Sequence, residues 1–511
     1  MGTAGVGALL VGCQQRTRPG GAGADPSVPD PRGFGDVEVP DEIAPIDAPF
    51  RMPAPTRPTF PDRTIDIRAH GAEAGRDTTD TDAINAAIAA CHKAGGGRVL
   101  IPEGDWRSGA IRMASHVDLH VEAGATVHFV QDVEAYLPPV LVREEGVEAY
   151  NLSPLIYAPN VNNIAITGSG TFDGKWSQFW EAWYEDSTGG GDRTIAAKVP
   201  LDERDYGWAN GGIRPNFVVP FNARNVLIEG PSFVNSPMWN LQPTYCENVI
   251  IRDVTIDNQS ANGDGVVVDS SKNVLVEYIE VRSGDDAVVM KSGLNEDGRR
   301  IDVPTRNVVV RNLTAKEVRT GSGGVVFGSE TSGGIHDVYV SDAYFEGTDK
   351  GIRFKTAPRR GSYVANIFVE GVRMADVEGP AMNFNLQYDD MPDEAGGRFA
   401  APRLLHLRFR DIHVDGAPRA LETRGIEDQP IREVRLENAI FRNVEDGLEL
   451  EWLDGGHLRR VDLQSENTPL TLRHVHNVHL ESVSLSGPEP ALVVEQSEQV
   501  YRDGTRVDGR D

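Results

Sequence analysis

One short phrase recurs along this chain: an Asn or Asp followed by three strand-forming residues. It reads Asn163-Ile-Ala-Ile, Asn225-Val-Leu-Ile, Asn248-Val-Ile-Ile, Asn273-Val-Leu-Val, Asn307-Val-Val-Val, Asp337-Val-Tyr-Val, Asn366-Ile-Phe-Val and Asn477-Val-His-Leu. The central spacings are 23 and 25 residues, widening to 34, 30 and 29. Strands at this period with no helix between them do not fit a βαβ sheet, and a sandwich needs no common phrase. Stacked parallel coils do, because each coil buries its apolar residues on the coils above and below. The expected fold is therefore an all-β solenoid. The Asn opening each phrase is expected to bond along the stack at a turn rather than to hold a ligand.

The N-terminal side supplies a cap. After the alternating strand Thr64-Ile-Asp-Ile-Arg, apolar residues Ile84, Ala87, Ile88 and Cys91 fall at helical spacing. Asp80 or Thr81 opens this helix and Gly95-Gly96-Gly97 ends it. A helix there covers the open end of the stack, where a bare strand edge would invite pairing. Three parts are expected: residues 1–13 as the remnant of a lipoprotein export signal, 14–61 as a Pro/Gly-rich linker, and 62–511 as one β-helix domain. Leu10-Val11-Gly12-Cys13 resembles the box in which bacterial lipoproteins are cleaved and lipidated at the Cys, although Met1–Leu10 carries no Lys or Arg. The protein is expected to be exported, as a periplasmic or cell-surface lipoprotein or in secreted form, with a membrane contact only through lipid at Cys13. Cys91 and Cys246 are expected as small buried residues. A net charge of −27 disfavours nucleic acid and anionic membranes as partners.

Candidate chemistry lies in two acidic turns one repeat apart, Asn262-Gly-Asp264-Gly and Ser283-Gly-Asp285-Asp286. Asp264 and Asp285 are 21 residues apart, about one coil. Coils stack about 4.8 Å apart, so one turn of the solenoid brings these carboxylates together. Inverting glycoside hydrolysis needs an acid and a base roughly 6.5–9.5 Å apart with a water between base and sugar. Turn-favouring Asp-Gly sequences also occur without function, and the one-coil separation is what favours catalysis. Arg353 and Lys355, at i and i+2 of a strand, share a face and could grip a sugar carboxylate. Lys291 adds a further cation five residues past Asp286.

Taken in order, Asn262-Gly-Asp264-Gly, Ser283-Gly-Asp285-Asp286-Ala-Val-Val-Met-Lys-Ser-Gly, Gly328-Ser-Glu and Gly351-Ile-Arg353-Phe-Lys355-Thr resemble the motif series of glycoside hydrolase family 28, the polygalacturonases. The likeness runs from about residue 62 to at least 390 and takes in Ala94–Pro102, Ser153–Tyr157, Asn235–Trp239 and Tyr245–Ile251. It implies a right-handed parallel β-helix that hydrolyses α-galacturonosyl linkages of pectic polysaccharides with inversion, without metal or other cofactor. Asp285 then resembles the general acid, and Asp264 and Asp286 the pair that activates water. Arg353 and Lys355 resemble the contacts to the substrate carboxylate. Asn262, Lys291 and Tyr388, in Asn385-Leu-Gln-Tyr, complete the expected substrate-binding set together with Ser322. Where the family usually reads Gly-His-Gly, this chain reads Gly321-Ser322-Gly323-Gly324, so Ser322, or Gly323 with a one-residue shift, stands at the histidine position. Serine donates a hydrogen bond but carries no charge. The partner expected is a pectic polysaccharide or oligogalacturonide, bound by a monomer. Two rivals are a calcium-assisted lyase-type β-elimination and a glycan-binding β-helix without catalysis.

Overall fold

The structure, a computed structural model, describes residues 39–181, 199–205, 213–318, 321–388 and 400–507. Cys13, the export-signal segment and the first part of the linker lie outside the described residues. The same holds for most of 182–212, a Gly- and charge-rich stretch of the sequence with Trp and Tyr residues at 183, 184, 206 and 208.

The repeated phrase winds into a right-handed parallel β-helix. Each long strand pairs with the one a single coil further on. Glu247–Asn258 pairs in parallel with Lys272–Ser283, which pairs with Thr305–Lys316, then Ile335–Glu346 and Tyr363–Ala375. These strands bend near their middle, where single residues adopt left-handed backbone: Asp253 (φ 52°), Tyr278 (φ 50°), Asn312 (φ 53°) and Asp342 (φ 52°). The bend divides each long strand between two faces of the coil. A third face is built from shorter strands, including Val218–Phe221, Val266–Asp269, Val288–Lys291, Val325–Gly328, Ile352–Lys355 and Pro380–Asn385.

The Asn residues do what their position suggested. Asn163, Asn225, Asn248, Asn273 and Asn307 all have φ between 51° and 59°. Asn tolerates this region better than other residues with a Cβ. Their amides form a ladder along the stack: Asn225 donates to Asn163 at 2.9 Å, Asn248 to Asn225 at 3.0 Å, Asn273 to Asn248 at 3.3 Å and Asn307 to Asn273 at 3.0 Å. Each turn thereby fixes the start of the next.

The capping helix spans Thr81–Lys93 and buries Ala83, Ile84, Ala87, Ile88 and Cys91 against the first coils. Its N-terminus departs from expectation. Asp80 occupies the cap position but its carboxylate is turned away, accepting from the Glu73 N–H at 3.0 Å and pairing with Arg76 at 2.6 Å. Thr81 begins the helix and accepts from the Gly109 N–H instead. Cys91 and Cys246 are both buried.

Residues 39–61 of the expected linker lie against the outside of the coil. Ile43 and Phe60 cover outward-facing Ala165, Leu227 and Ile250, and Phe50 meets Phe368 with ring centroids 6.3 Å apart. Under this strap runs a column in which sign alternates from coil to coil: Glu229, Arg252, Glu277 and Arg311 are successive register partners. Arg252 pairs with Glu229 at 2.9 Å and Glu277 at 2.8 Å, and Arg311 reaches Glu277 at 2.6 Å. Arg252 and Arg311 also donate to the strap carbonyls of Pro40 and Ala44.

Asn248→Ala removes two rungs of the amide ladder and leaves a Cβ in left-handed backbone without compensation. We expect a loss of about 2–3 kcal/mol, read from the denaturant midpoint, with Asn248→Gly less damaging than Asn248→Ala. An alanine variant as stable as wild type would remove the ladder from the account of this fold.

Candidate active site

The third face carries the acidic turns. Along it, alternate side chains point inward and outward. Val266, Val268, Val288, Met290, Phe327, Ile352 and Phe354 join the main core, while Val267, Val289 and Val326 form a separate outer cluster with Met238, Trp239 and Ile213. That outer cluster is an apolar floor. Register continues it: Val326 lies beside Arg353, and Arg353 beside Asn383.

The acidic turns enter this face just before their strands. Val266 pairs with Val288, so counting back two places sets Asp264 beside Asp286 in the stack. The Gly265 N–H donates to the Asp286 carbonyl at 2.9 Å, which locks that pairing. Asp285 sits one step upstream and is only half-buried, while Asp264 and Asp286 are buried. The Asp286 N–H donates to Asp285 Oδ1 at 2.8 Å.

Cations surround the trio. Lys355 Nζ is 2.7 Å from Asp286 Oδ2, and Lys291 Nζ is 3.7 Å from Asp264 Oδ2. Beyond the ion pair with Lys355, neither Asp286 oxygen has a hydrogen-bond donor among the described residues, and both are buried. Burial first, then Asp285 and Asp286, push the Asp264 carboxyl well above the usual range, against the pull of Lys291. Burial and the neighbouring Asp286 likewise raise Asp285, against Lys355 and Lys291. Burial works against the charge on Lys355, but Asp286 and Asp285 outweigh it and raise its pKa. Carboxyls in one cleft with protonation pushed upward beside a cation-held partner are the arrangement that acid/base catalysis requires.

Arg353 and Lys355 share the outward side of their strand and are both buried. Tyr388, which is exposed, lies over them, with its ring centroid 5.0 Å from the Arg353 guanidinium carbon and 5.6 Å from Lys355 Nζ. Arg353 Nη1 also donates to the Gly321 carbonyl. Asn262 turns in left-handed backbone (φ 54°) at the entrance to the Asp264 loop, half-buried. Ser322 is buried; the Val288–Val325 pairing puts it beside Asp285 and Gly323 beside Asp286. A Cβ at Gly323 would meet Val326 at 2.7 Å, so a histidine at 323 requires the floor to shift.

Two residues were missed as site members. Trp239 lies beneath Lys291, 4.7 Å from ring centroid to Nζ. Glu330 accepts from Lys291 at 2.8 Å. Both stand inside motifs that the sequence displays, Asn235–Trp239 and Gly328-Ser-Glu, but neither motif alone says that its last residue faces the acids.

One end of this face is closed. The hairpin formed by Val140–Glu144 and Val147–Asn151 lies over it. Val142 packs on the outward-facing Tyr157, Val219 and Phe221 of the earlier coils. Arg143 is fully buried and donates to Asp269 Oδ1 at 3.0 Å and Ser270 Oγ at 2.6 Å. Gln242 donates to the Arg143 carbonyl at 2.9 Å. Among the described residues, the hairpin therefore covers the outer side of the earlier coils, and the face continues past Arg353 on the other side.

The model of the family described as glycosyl hydrolases family 28 matches residues 91–417, well over half of the chain. The chain belongs to glycosyl hydrolases family 28. It is 28% identical over 407 residues to a probable polygalacturonase of Vitis vinifera, covering 76% of this chain and 77% of the relative. It is 27% identical over 390 residues to an exo-poly-alpha-D-galacturonosidase of Dickeya chrysanthemi, covering 70% of this chain and 62% of that longer relative. Among solved structures, an exopolygalacturonase from Thermotoga maritima superimposes with a TM-score of 0.71 at 32% identity, over 80% of this chain and 93% of that one. In this family 28 chain the acidic trio and the Arg353/Lys355 pair thus occupy one face of the coil.

Lys355→Met withdraws the counter-charge of Asp286. Lys355 also pulls down the raised Asp264 carboxyl; without it Asp264 protonates at higher pH, so the acid limb of kcat/KM is expected to move up by about one pH unit, together with a higher KM. A pH series of kcat/KM checks this; a limb that stays in place would separate Lys355 from the catalytic charge balance.

Proposed function

We propose that this family 28 hydrolase cleaves α-galacturonosyl linkages of pectic polysaccharides by single displacement with inversion, and that it does so from a chain end. The observation that carries the reaction is the placement of Asp264 and Asp286 as register neighbours with Asp285 one step upstream, flanked by Lys291, Lys355 and Arg353. Asp285, half-buried and raised by burial and Asp286, is the proton donor to the leaving oxygen. Asp264 and Asp286 together take a proton from the attacking water; Lys355, 2.7 Å from Asp286 Oδ2, supplies the facing positive charge. Burial of Asp264 keeps this side of the site out of bulk water, where its interactions are stronger.

Arg353 and Lys355 give the site its preference for a uronate. Arg353 presents a planar fork and Lys355 a point charge, and Tyr388 offers a ring edge or face next to both. Metal-assisted elimination finds no support in this donor set, since Asp264 and Asp286 are each matched to a lysine rather than converging on one cation position. End-on action follows from the hairpin 140–151. The hairpin packs Val142 on outer residues of the earlier coils and Arg143 against Asp269, which supports a cleft covered on that side. The similarity to an exopolygalacturonase at 32% identity supports the same mode. The lipoprotein-like box ending in Cys13 supports an exported enzyme that meets pectic fragments outside the cytoplasm.

Asp285→Asn is expected to lower kcat by about 10²–10⁴-fold while binding of oligogalacturonide persists. Absence of reducing-end release by wild type from polygalacturonate and from rhamnogalacturonan alike would overturn the hydrolytic assignment. The mode is tested separately on polygalacturonate. Chain-end attack releases one short product from the first minutes, with viscosity falling slowly. An early ladder of mixed oligomers with a rapid fall in viscosity would exclude it.

A further inference from the structure

Glu330 follows the strand Val325–Gly328 and is buried on the catalytic face. Its Oε2 accepts from Lys291 Nζ at 2.8 Å. Lys291 is thereby held between two carboxylates, Glu330 in contact and Asp264 at 3.7 Å, with the Trp239 ring below it. Burial opposes ionisation of Glu330, yet Lys291 holds its pKa down at about 2. Lys291 thus favours the anionic form of Glu330.

What fixes Glu330 is the hairpin that closes the cleft. A Cβ added at Gly146, at the hairpin tip, would meet Glu330 Cγ at 2.8 Å and Leu294 N at 2.9 Å. The Leu294 N–H donates to the Gly146 carbonyl at 2.9 Å, and the Ser292 N–H donates to the Glu330 carbonyl at 2.6 Å. The tip, the loop after Lys291 and Glu330 are thus interlocked. A lysine without Glu330 would have Asp264 and Asp286 as its nearest counter-charges and would settle on them, lowering their basicity. With Glu330 at 2.8 Å, Lys291 stays at ion-pair distance from Asp264, 3.7 Å, beyond hydrogen-bond reach.

We propose that Glu330 is a positioning residue for the hydrolytic centre, which holds Lys291 off Asp264 and so sets the basicity of the water-activating pair. The inference rests on the hydrolytic assignment above. Glu330→Gln keeps the shape and the accepting oxygen but removes the charge. Its acid limb of kcat/KM is expected to fall by about one pH unit, with kcat roughly tenfold lower at the wild-type optimum because the base is weaker. Glu330→Asp, which keeps the charge, is expected to leave the limb where wild type has it. A purely structural role would lower the rate equally at every pH, and that result would overturn the proposal.

A double-mutant cycle gives an independent reading should Glu330→Gln fold poorly. Lys291→Met with Glu330→Gln removes both charges together. Once Lys291 is gone, Glu330 has nothing to position, so the double variant is expected to be no less active than Lys291→Met alone. A further loss of about tenfold or more in the double variant would overturn the proposal. If wild type hydrolyses galacturonan and Asp285→Asn does not, the hydrolytic assignment stands whatever the Glu330 variants do.

Discussion

The hydrogen-bonded ladder of Asn163, Asn225, Asn248, Asn273 and Asn307 fixes the register on which everything else depends. A coil can change its loops freely, as the spacings from 23 to 34 residues show, provided each turn re-enters the stack at the same height and angle. Left-handed backbone turns the chain; the amide bonds to the turn before and the turn after hold it there. Because strands stack in parallel without slippage, a residue at a given step of one coil lies beside the residue at the same step of the next. Side chains far apart in sequence therefore line up in columns, and the chemistry of the site is written in columns rather than in loops.

That geometry explains why carboxylates can be packed so densely. Asp264 and Asp286 are column neighbours, a placement that repulsion would forbid in isolation. Lys291 and Lys355 come from the same face, each two residues further along than a floor valine or arginine column, and each is aimed at a different acid. Rigid strands supply the acids' neighbours, so charge is balanced by construction and little needs to move when substrate arrives.

Much of this was legible because it is local and periodic. The Asn phrase gave the coil, the helical spacing of Ile84, Ala87, Ile88 and Cys91 gave the cap, and the acidic turns with Arg353 and Lys355 gave the chemistry. Register was legible only approximately: spacing brought Asp264 to the Asp285/Asp286 turn, and the strand pairing of Val266 with Val288 sets Asp286 level with it. The contacts that close and tune the site were not legible at all. Arg143 meets Asp269 across 126 residues and Glu330 meets Lys291 across 39. Nothing in the hairpin's own sequence says which face it will cover. Asp80 shows the opposite failure, a good helix-capping residue recruited by Arg76 and the Glu73 N–H for a different task.

The alternating column on the outer side carries a consequence for how such a chain can change length. Beyond Ser341 the register partners Glu370, Arg410, Glu437, Arg459 and Glu481 resume the alternation begun by Glu229, Arg252, Glu277 and Arg311. Duplicating or deleting a single coil within either run would set glutamate on glutamate or arginine on arginine, partly out of water. Coils can be gained or lost there only two at a time, or singly where a neutral residue such as Ser341 separates the runs. The solenoid has a parity, and its neutral coil is the natural seam for insertion.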